Sequence, residues 1–200
     1  MDHPSLDEIY RLFRKGLEKV HSDHIYKFKD YAECVFDTQV LSKRWLTDEL
    51  GVFDVKHISI LASWYGIVIV PMLVRKFGNI PIDLYDVDEY TMDIAKHIYK
   101  DDYPNVTVNC KDVIFDDVEF KGDTIINCSC EHMYDMADMV NQYRGRRFVL
   151  QSNNNRNVKW LHINCVDTAQ ELIEQADIRE VLYKGDTEMY KATRFMVIGK

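Results

Sequence analysis

The sequence predicts an α/β protein with a mostly parallel sheet that is covered by helices on both faces. From about His57, short apolar runs rich in β-branched residues alternate with segments of helical periodicity. Each run is too short and too apolar for an antiparallel sheet with one wet face. The last two runs follow each other with no helix between them, which is typical of an antiparallel hairpin.

The N-terminal part of the chain predicts amphipathic helices. Apolar residues recur at helical spacing between Leu6 and Val20, which gives one buried stripe. A second helix is predicted from about Thr38 to Leu50. Gly51 follows it and is expected to end the helix in a left-handed backbone conformation, as glycine usually does. No linker separates these helices from the rest. We therefore expect a single domain over 1–200, with a helical cap over 1–52 and an α/β core over 53–200.

The core segment contains seven predicted strands. In chain order they are HISILAS, IDLYDV, NVTVNC, DTIINCS, RRFVLQS, REVLYKG and TRFMVIG. Helices are predicted between them, first near Pro71, because proline is tolerated in a first helical turn, and then in EYTMDIAKHIYK, MYDMADMVNQY and DTAQELIEQA. The last two strands are expected to join through a polar connection that carries Gly185 and Asp186.

Composition limits the partners of the chain. The 25 basic and 33 acidic side chains leave a formal charge of −8, so duplex nucleic acid is a disfavoured partner. It is not excluded, because a local groove could collect four arginines: Arg144, Arg146, Arg147 and Arg156. No apolar run approaches the roughly 20 residues of a membrane span, and the N-terminus lacks signal-peptide features. Five scattered cysteines suit reduced thiols, and we expect a cytoplasmic protein without a membrane partner.

The stretch LASWYG lies where the first core strand ends. In a doubly wound sheet this turn and the following helix N-terminus face the ligand, and an acidic residue after the second strand receives ribose hydroxyls. The distance from Gly66 to Asp86 is about twenty residues, which fits that arrangement. LASWYG taken alone fits equally well a buried turn of the core that contains one glycine and binds no ligand.

From His57 to Lys200 the order of elements resembles the class I S-adenosylmethionine-dependent methyltransferases. That family has a Rossmann-like, seven-stranded sheet with a C-terminal antiparallel hairpin, and EVLYKG with TRFMVIG is similar to that hairpin. LASWYG stands at the family's glycine-rich first motif, LYDVDEYTMDIAKH at the second, NCKDV at the adenine-contacting segment and INCSCEHM at the fourth strand. The first motif departs from the family pattern, since Gly66 is its one glycine and His57 and Ser59 precede it.

The resemblance implies S-adenosylmethionine as cofactor. It places the methionine portion on residues 62–66, the ribose on Asp86, and the adenine beside Asp112 and Val113. The full set of implied cofactor-binding residues is Ala62, Ser63, Trp64, Tyr65, Gly66, Asp86, Val87, Asp88, Asp112, Val113, Asn127, Cys128 and Ser129. Together with SKRWL, the strings ASWYG and SCEHM also resemble methyltransferase-like proteins of tailed phages.

The stretch NCSCEHM carries the most reactive side chains of the chain. His132 is the candidate general base, and Glu131 would orient it or hold a substrate amine. A plain helix start with Ser129 as N-cap is the alternative. A zinc site of Cys128, Cys130 and His132 is disfavoured because a fourth ligand and the usual CxxC spacing are lacking, so no metal is expected. A nucleophilic cysteine is disfavoured as well.

Two further stretches have two interpretations each. QSNNNRN is either a solvated turn or a segment in which Asn153 to Asn155 contact substrate. Lys43 to Trp45 either cover the cofactor from the cap, or Trp45 is a core anchor.

The sequence thus predicts methyl transfer from S-adenosylmethionine to a small molecule or a nucleotide. One alternative is transfer of the aminocarboxypropyl arm of the same cofactor. The other is a catalytically silent binding module that keeps the fold and acts through a protein partner, for which the glycine-poor first motif is the argument. The acceptor atom and the oligomeric state stay open, and a phage-encoded chain would act in the host cytoplasm.

Overall fold

The computed structural model describes residues 6–157 and 162–200, which form a first unit that runs to Gly122 and a second unit that begins at Asp123. The strands belong to a seven-stranded mixed sheet. No helix in the described ranges is both long and apolar enough to cross a membrane.

The first unit contains the N-terminal helices and three strands. In chain order its elements are α1 (Leu6–Asp23), a 3-10 turn (Ile25–Lys27), α2 (Phe28–Glu33), α3 (Asp37–Leu50), β1 (Ile58–Leu61), α4 (Ile69–Phe77), β2 (Ile82–Asp86), α5 (Glu89–Tyr99) and β3 (Val106–Cys110). Pro71 lies in the first turn of α4, as predicted.

The strands of the first unit are all parallel and have the order β3-β2-β1. All four residues of β1 are buried, and so are the first four of β2, which explains their nearly continuous apolar sequence. Helix α5 packs against β2 and β3, and α1 packs against α5. The amphipathic stripe of α1 is therefore buried on a helix of the core.

The expectation of a left-handed end at Gly51 was wrong. Its φ is −67°, a right-handed value, and its amide donates hydrogen bonds to the carbonyl oxygens of Thr47 and Asp48. The helical turn therefore continues through this residue. A Cβ on Gly51 would lie 1.8 Å from Cε of Lys76, at the far end of a flexible side chain that can move aside.

The second unit contains four strands and two α-helices among its described residues. Its elements are β4 (Thr124–Asn127), a 3-10 turn (Cys130–His132), α6 (Ala137–Gln142), β5 (Arg147–Asn153), α7 (Ala169–Gln175), β6 (Val181–Met189) and β7 (Ala192–Gly199). The strands have the order β4-β5-β7-β6, with β4 and β5 parallel and β7 antiparallel to both of its neighbours. Helix α7 packs against β6 and β7.

The terminal hairpin is longer than the sequence predicts. Gly185 and Asp186 do not form its connection; they lie inside β6, opposite Met196 and Phe195. The turn falls at Tyr190 and Lys191, and Lys191 adopts a φ of 65°. The side chains of β6 alternate between exposed and half-buried, so polar residues that read as a turn are tolerated within the strand.

The predicted fold class is confirmed. The described residues contain seven strands, which are parallel except for the C-terminal antiparallel pair, and helices alternate with them as the apolar runs predicted. The division into a 1–52 cap and a 53–200 core stays a prediction.

Candidate functional site

The turn after β1 adopts left-handed backbone at three positions. Ala62, Trp64 and Gly66 have φ values of 45°, 51° and 67°. Only glycine adopts such values without a steric cost, and for other residues the cost is about 1–2 kcal/mol each. The turn thus keeps a glycine-like conformation with a single glycine, and strain of this kind concentrates at ligand-binding and catalytic segments.

Asp86, the predicted ribose-binding residue, ends β2 and bonds to this turn. Its Oδ2 accepts a hydrogen bond of 2.8 Å from the amide of Trp64, and its Oδ1 accepts one of 3.2 Å from the amide of Asp88. Burial raises the pKa of this carboxyl above its ordinary value, partly offset by the amide donors. The carboxylate is therefore fixed in position by the backbone at the carboxyl ends of two neighbouring strands.

Asp88 and Val87 follow directly. Asp88 caps α5, because its Oδ1 accepts hydrogen bonds of 3.0 Å from the amides of Tyr90 and Thr91. Its other oxygen pairs with the ammonium group of Lys27. Burial would raise the pKa of Asp88, but Lys27 and the two amides outweigh it and lower the pKa. Val87 is exposed.

Asp30, on α2, is a residue of this region that the sequence analysis missed. Its Oδ2 accepts a 2.6 Å hydrogen bond from the hydroxyl of Tyr65 and a 3.2 Å bond from the indole Nε1 of Trp64. Tyr65 is fully buried, and its ring meets Tyr31 edge-on at 4.8 Å. The side chain of Tyr65 therefore packs inside the first unit. Nothing in the sequence around Asp30 marks it, since it lies more than thirty residues from the turn.

Ser63 and the segment after β3 complete the predicted cofactor positions of the first unit. Ser63 is buried, and its amide donates to the carbonyl oxygen of Tyr85 over 3.0 Å. Asp112 and Val113 are half-buried. The Oδ1 of Asp112 accepts from the amides of Ile114 and Phe115 at 2.9 and 3.3 Å, so its carboxylate closes a local turn.

In the second unit, the turn after β4 is organised by Asn127. Its Oδ1 accepts a 2.9 Å hydrogen bond from the amide of Ser129. Its side-chain nitrogen lies 3.1 Å from the sulfur of Met133. Cys128 is buried, and its carbonyl oxygen accepts a 2.9 Å hydrogen bond from Arg194 on β7. Arg194 carried no signal in the sequence.

The three residues of the disfavoured zinc site do not lie on a strand. Cys128, Cys130 and His132 lie beyond the end of β4, in a turn and a 3-10 turn, so they do not share a strand face. Burial raises the pKa of the Cys130 thiol well above its usual range, which disfavours the thiolate that a nucleophile or ligand needs. Ser129 precedes the 3-10 turn, but its side chain makes no capping bond.

Glu131 is a buried carboxylate with one satisfied oxygen. The residue is 2% exposed, and its Oε1 accepts hydrogen bonds from Asn153 over 2.5 Å and from Arg194 over 3.3 Å. Its Oε2 is buried and has no hydrogen-bond partner among the described residues. An unsatisfied buried oxygen on a charged group is costly and calls for an explanation.

Two histidines lie beside this carboxylate. His132 is exposed, and its ring meets the ring of His162 edge-on with centroids 4.6 Å apart. The Nδ1 of His162 is 2.6 Å from the carbonyl oxygen of Asn155. One ligand atom from each of Glu131, His132 and His162 lies within 4.8 Å of the others. The sequence analysis missed His162, thirty residues from His132, while it singled out Asn153 in QSNNNRN.

The remaining candidates have structural partners. The Oδ1 of Asn154 accepts a 2.9 Å hydrogen bond from the amide of Thr193, which ties the loop after β5 to β7. Trp45 is half-buried on α3. Two arginines of the suggested basic groove pair with carboxylates, Arg144 with Asp177 at 2.6 Å and Arg156 with Asp167 at 2.5 Å.

Comparisons with solved structures identify the fold. Magnesium protoporphyrin IX methyltransferase from Synechocystis PCC 6803, solved with S-adenosylmethionine bound, matches 80% of this chain with 77% of its own, at a TM-score of 0.56 and 13% identity. Mitomycin 7-O-methyltransferase matches 97% of this chain with 66% of its own, at a TM-score of 0.60 and 12% sequence identity. Coclaurine N-methyltransferase, bound to N-methylheliamine and S-adenosylhomocysteine, matches 76% of this chain with 52% of its own. The TM-score is 0.59 and the sequence identity is 12%.

No family model and no curated protein sequence matches the chain. At 12–13% sequence identity, the solved structures establish the fold alone. That fold is the one of the class I S-adenosylmethionine-dependent methyltransferases. The resemblance drawn from the order of elements is thus confirmed at the level of fold.

Proposed function

We propose that the protein transfers the methyl group of S-adenosylmethionine to an oxygen or nitrogen atom of a small molecule or a nucleotide. One observation carries the proposal. A buried carboxylate at the end of β2, Asp86, is bonded to the amide of Trp64 in a strained turn after β1. A doubly wound fold uses these two places for the ribose and for the rest of a nucleoside cofactor.

In this proposal the cofactor lies on the first unit as follows. The carboxylate of Asp86 accepts hydrogen bonds from the ribose hydroxyls, and the turn 62–66 holds the methionine portion. The segment with Asp112 and Val113 borders the adenine. Val87 and Asp88 border the ribose. The resemblance adds Asn127, Cys128 and Ser129, of the second unit, to the cofactor-binding residues.

The reaction needs alignment and the removal of one proton. A lone pair of the acceptor attacks the methyl carbon in line with the C–S bond, and the electrons of that bond pass to sulfur, which leaves as neutral S-adenosylhomocysteine. The acceptor's proton passes to the imidazole of His132, which is exposed and therefore reachable. Glu131 acts beside it, as the orienting group or as the anion that holds a substrate amine.

A small acceptor fits the charge of the chain. The formal charge of −8 works against long polyanions, and Arg144 and Arg156 are already paired with carboxylates. The structural neighbours act on chemically different acceptors, as the names of the mitomycin and coclaurine enzymes state. The cytoplasmic location and the tailed-phage resemblance stay predictions of the sequence.

A silent binding module is the second candidate. It is favoured by the burial of Tyr65 and Gly66 within the turn, together with the single glycine of the motif. Transfer of the aminocarboxypropyl arm is the third, and it differs from methyl transfer in the mass added to the acceptor.

Calorimetric titration with S-adenosylmethionine and S-adenosylhomocysteine tests the proposal. Micromolar binding, about −8 kcal/mol, is expected for both ligands. A metabolite extract incubated with protein and cofactor should then yield a product heavier by one methyl group. Absence of binding at millimolar ligand would overturn the enzyme assignment and leave the binding module. An added aminocarboxypropyl mass would select the third candidate.

A further inference from the structure

The carboxylate of Glu131 and two imidazoles form a convergent group of ligand atoms within the second unit. They lie within 4.8 Å of one another, close enough for one ion to contact all three. Two histidines and one carboxylate that leave open positions are a recurrent ligand set for divalent first-row transition metals. We infer that Glu131, His132 and His162 bind one such ion.

The unsatisfied oxygen of Glu131 is the first argument. The side chain is almost completely buried, yet Oε2 has no hydrogen-bond donor among the described residues. Burial of an ionised carboxylate oxygen without a partner is unfavourable, and a bound cation removes that cost. The other oxygen, Oε1, is held by Asn153 and Arg194, which fixes the orientation of the carboxylate. Ligands of metal ions commonly have such supporting hydrogen bonds.

The hydrogen bond of His162 is the second argument. A carbonyl oxygen only accepts, so the 2.6 Å contact with Asn155 places the ring hydrogen on Nδ1. The lone pair is then on Nε2, the nitrogen that faces away from this bond. Most metal-binding histidines have this arrangement, in which one nitrogen donates to a carbonyl or carboxylate and the other binds the ion.

Access and composition complete the argument. His132 is exposed and His162 is half-buried, so an ion can enter from solvent while Glu131 stays inside. The convergent group contains no thiol, although Cys130 is next to Glu131 in the chain. The ligand set is therefore one carboxylate and two imidazoles, with further positions for water or substrate oxygen.

The ion would also change the chemistry of the proposed reaction, and this consequence rests on the proposed function. With the ion bound, His132 is a ligand rather than the base. A hydroxyl of the acceptor that binds the ion loses its proton to solvent more readily, because the charge of the metal lowers the pKa of bound hydroxyl groups. The resulting oxygen anion attacks the methyl carbon as before. This arrangement favours an acceptor with an oxygen nucleophile.

Binding of Mn²⁺ tests the inference without any assay of activity. Mn²⁺ is the first probe because thiolates bind it weakly, so that the five cysteines do not interfere. Chelator-treated protein is titrated and free Mn²⁺ is followed by electron paramagnetic resonance. The expected result is one ion per chain with a dissociation constant in the micromolar range. Co²⁺, which binds nitrogen ligands more tightly, serves as a second probe through its visible absorption.

Variants identify the ligands. His162→Ala, on a half-buried side chain, and His132→Ala, on an exposed one, should each weaken binding by at least about 10-fold. Glu131→Gln should do the same, with circular dichroism to check that the buried site still folds. His21→Ala, on exposed surface of α1, is the matched control and should bind as the parent does.

No ion bound by the parent at millimolar Mn²⁺ or Co²⁺ would overturn the inference, and so would equal binding by the parent and both histidine variants. Titration with S-adenosylmethionine in the presence of chelator separates this result from the proposed function. Cofactor binding without metal binding would refute only the metal site, and metal binding without cofactor binding would refute only the methyltransferase.

Discussion

The turns after β1 and after β4 follow parallel strands in different units and differ in how they are stabilised. After β1, the polar groups are satisfied inside the first unit, through Asp86 and Asp30, while the backbone is strained at Ala62 and Trp64. In the turn after β4, residues 128–136, no φ is positive, while Oε2 of the buried Glu131 has no hydrogen-bond partner among the described residues. The first turn is therefore destabilised by its backbone conformation, and the second by the desolvation of a carboxylate oxygen.

The difference teaches how each turn would recognise a ligand. A strained but satisfied turn presents a fixed backbone shape, which suits a nucleoside cofactor that is recognised by shape and by backbone hydrogen bonds. A buried carboxylate with a free oxygen suits a cation, because binding removes an existing penalty. Substitutions that remove a charge, or that add or relieve backbone strain, test this comparison.

The largest effect is expected at Arg194, the cation beside Glu131. Arg194→Met leaves a buried carboxylate without its guanidinium partner and should lower the free energy of unfolding by about 3 kcal/mol. Only 13% of the Arg194 side chain and 3% of the Glu131 side chain are exposed, so solvent cannot replace the pair. Urea denaturation measures the change. Arg179→Met, on a side chain 67% exposed, is the control and should change stability by less than about 0.5 kcal/mol. Equal effects would show that the charge of Arg194 contributes nothing special.

Asp86→Ala is expected to weaken S-adenosylmethionine binding by about 1.5–3 kcal/mol, because a charge-assisted hydrogen bond to ribose is lost. Calorimetry measures the affinity, and the exposed Asp54→Ala is the control. An affinity as high as that of the parent would remove Asp86 from the cofactor site.

Gly66→Ala should lower the free energy of unfolding by about 2 kcal/mol. Its φ of 67° disfavours any side chain, and a Cβ there would lie 3.0 Å from the hydroxyl of Tyr99 and 3.2 Å from Leu84. Gly145→Ala is the control, since φ is also positive there but a Cβ would meet open space. Thermal or urea denaturation compares the two variants. A cost at Gly66 no larger than at Gly145 would mean that packing around the turn is loose.

Acidification should weaken cofactor binding through Asp86. The ionised carboxylate accepts the ribose hydrogen bonds, and burial raises its pKa. Binding is therefore strongest above the raised pKa and is lost as the pH falls through it, beginning at a higher pH than for an ordinary aspartate. Calorimetry at descending pH measures this, and Asp86→Asn should show a flatter profile. An equally steep decline in Asp86→Asn would assign the effect to another group.

The smallest effect is expected from relieving strain. Ala62 adopts a left-handed backbone conformation, with φ 45°, and Ala62→Gly relieves the strain of a side chain there. The free energy of unfolding should rise by about 0.5–1 kcal/mol, because the greater entropy of glycine in the unfolded chain offsets part of the gain. Ala192→Gly, at the start of β7, is the control and should lower stability instead. Destabilisation by Ala62→Gly would contradict the strain assigned to the first turn.

The fold could be predicted because the sequence patterns that indicate its strands and helices are local. Apolar runs such as ISIL and TIIN predict buried strands by themselves, and the missing helix before TRFMVIG predicts the antiparallel pair. Where prediction failed, a neighbour distant in sequence decided the outcome. Gly185 and Asp186 lie in a strand because β7 pairs with them.

The sequence by itself determined the order of the strands and helices, the fold class and the position of Asp86 at a strand end, because periodicity and strand-end chemistry depend on neighbours along the chain. The tertiary structure alone decided that Asp30 bonds Trp64 and Tyr65, and that His162 and Arg194 meet Glu131. These residues lie thirty or more positions apart, and no local pattern encodes which distant side chains a buried carboxylate will meet.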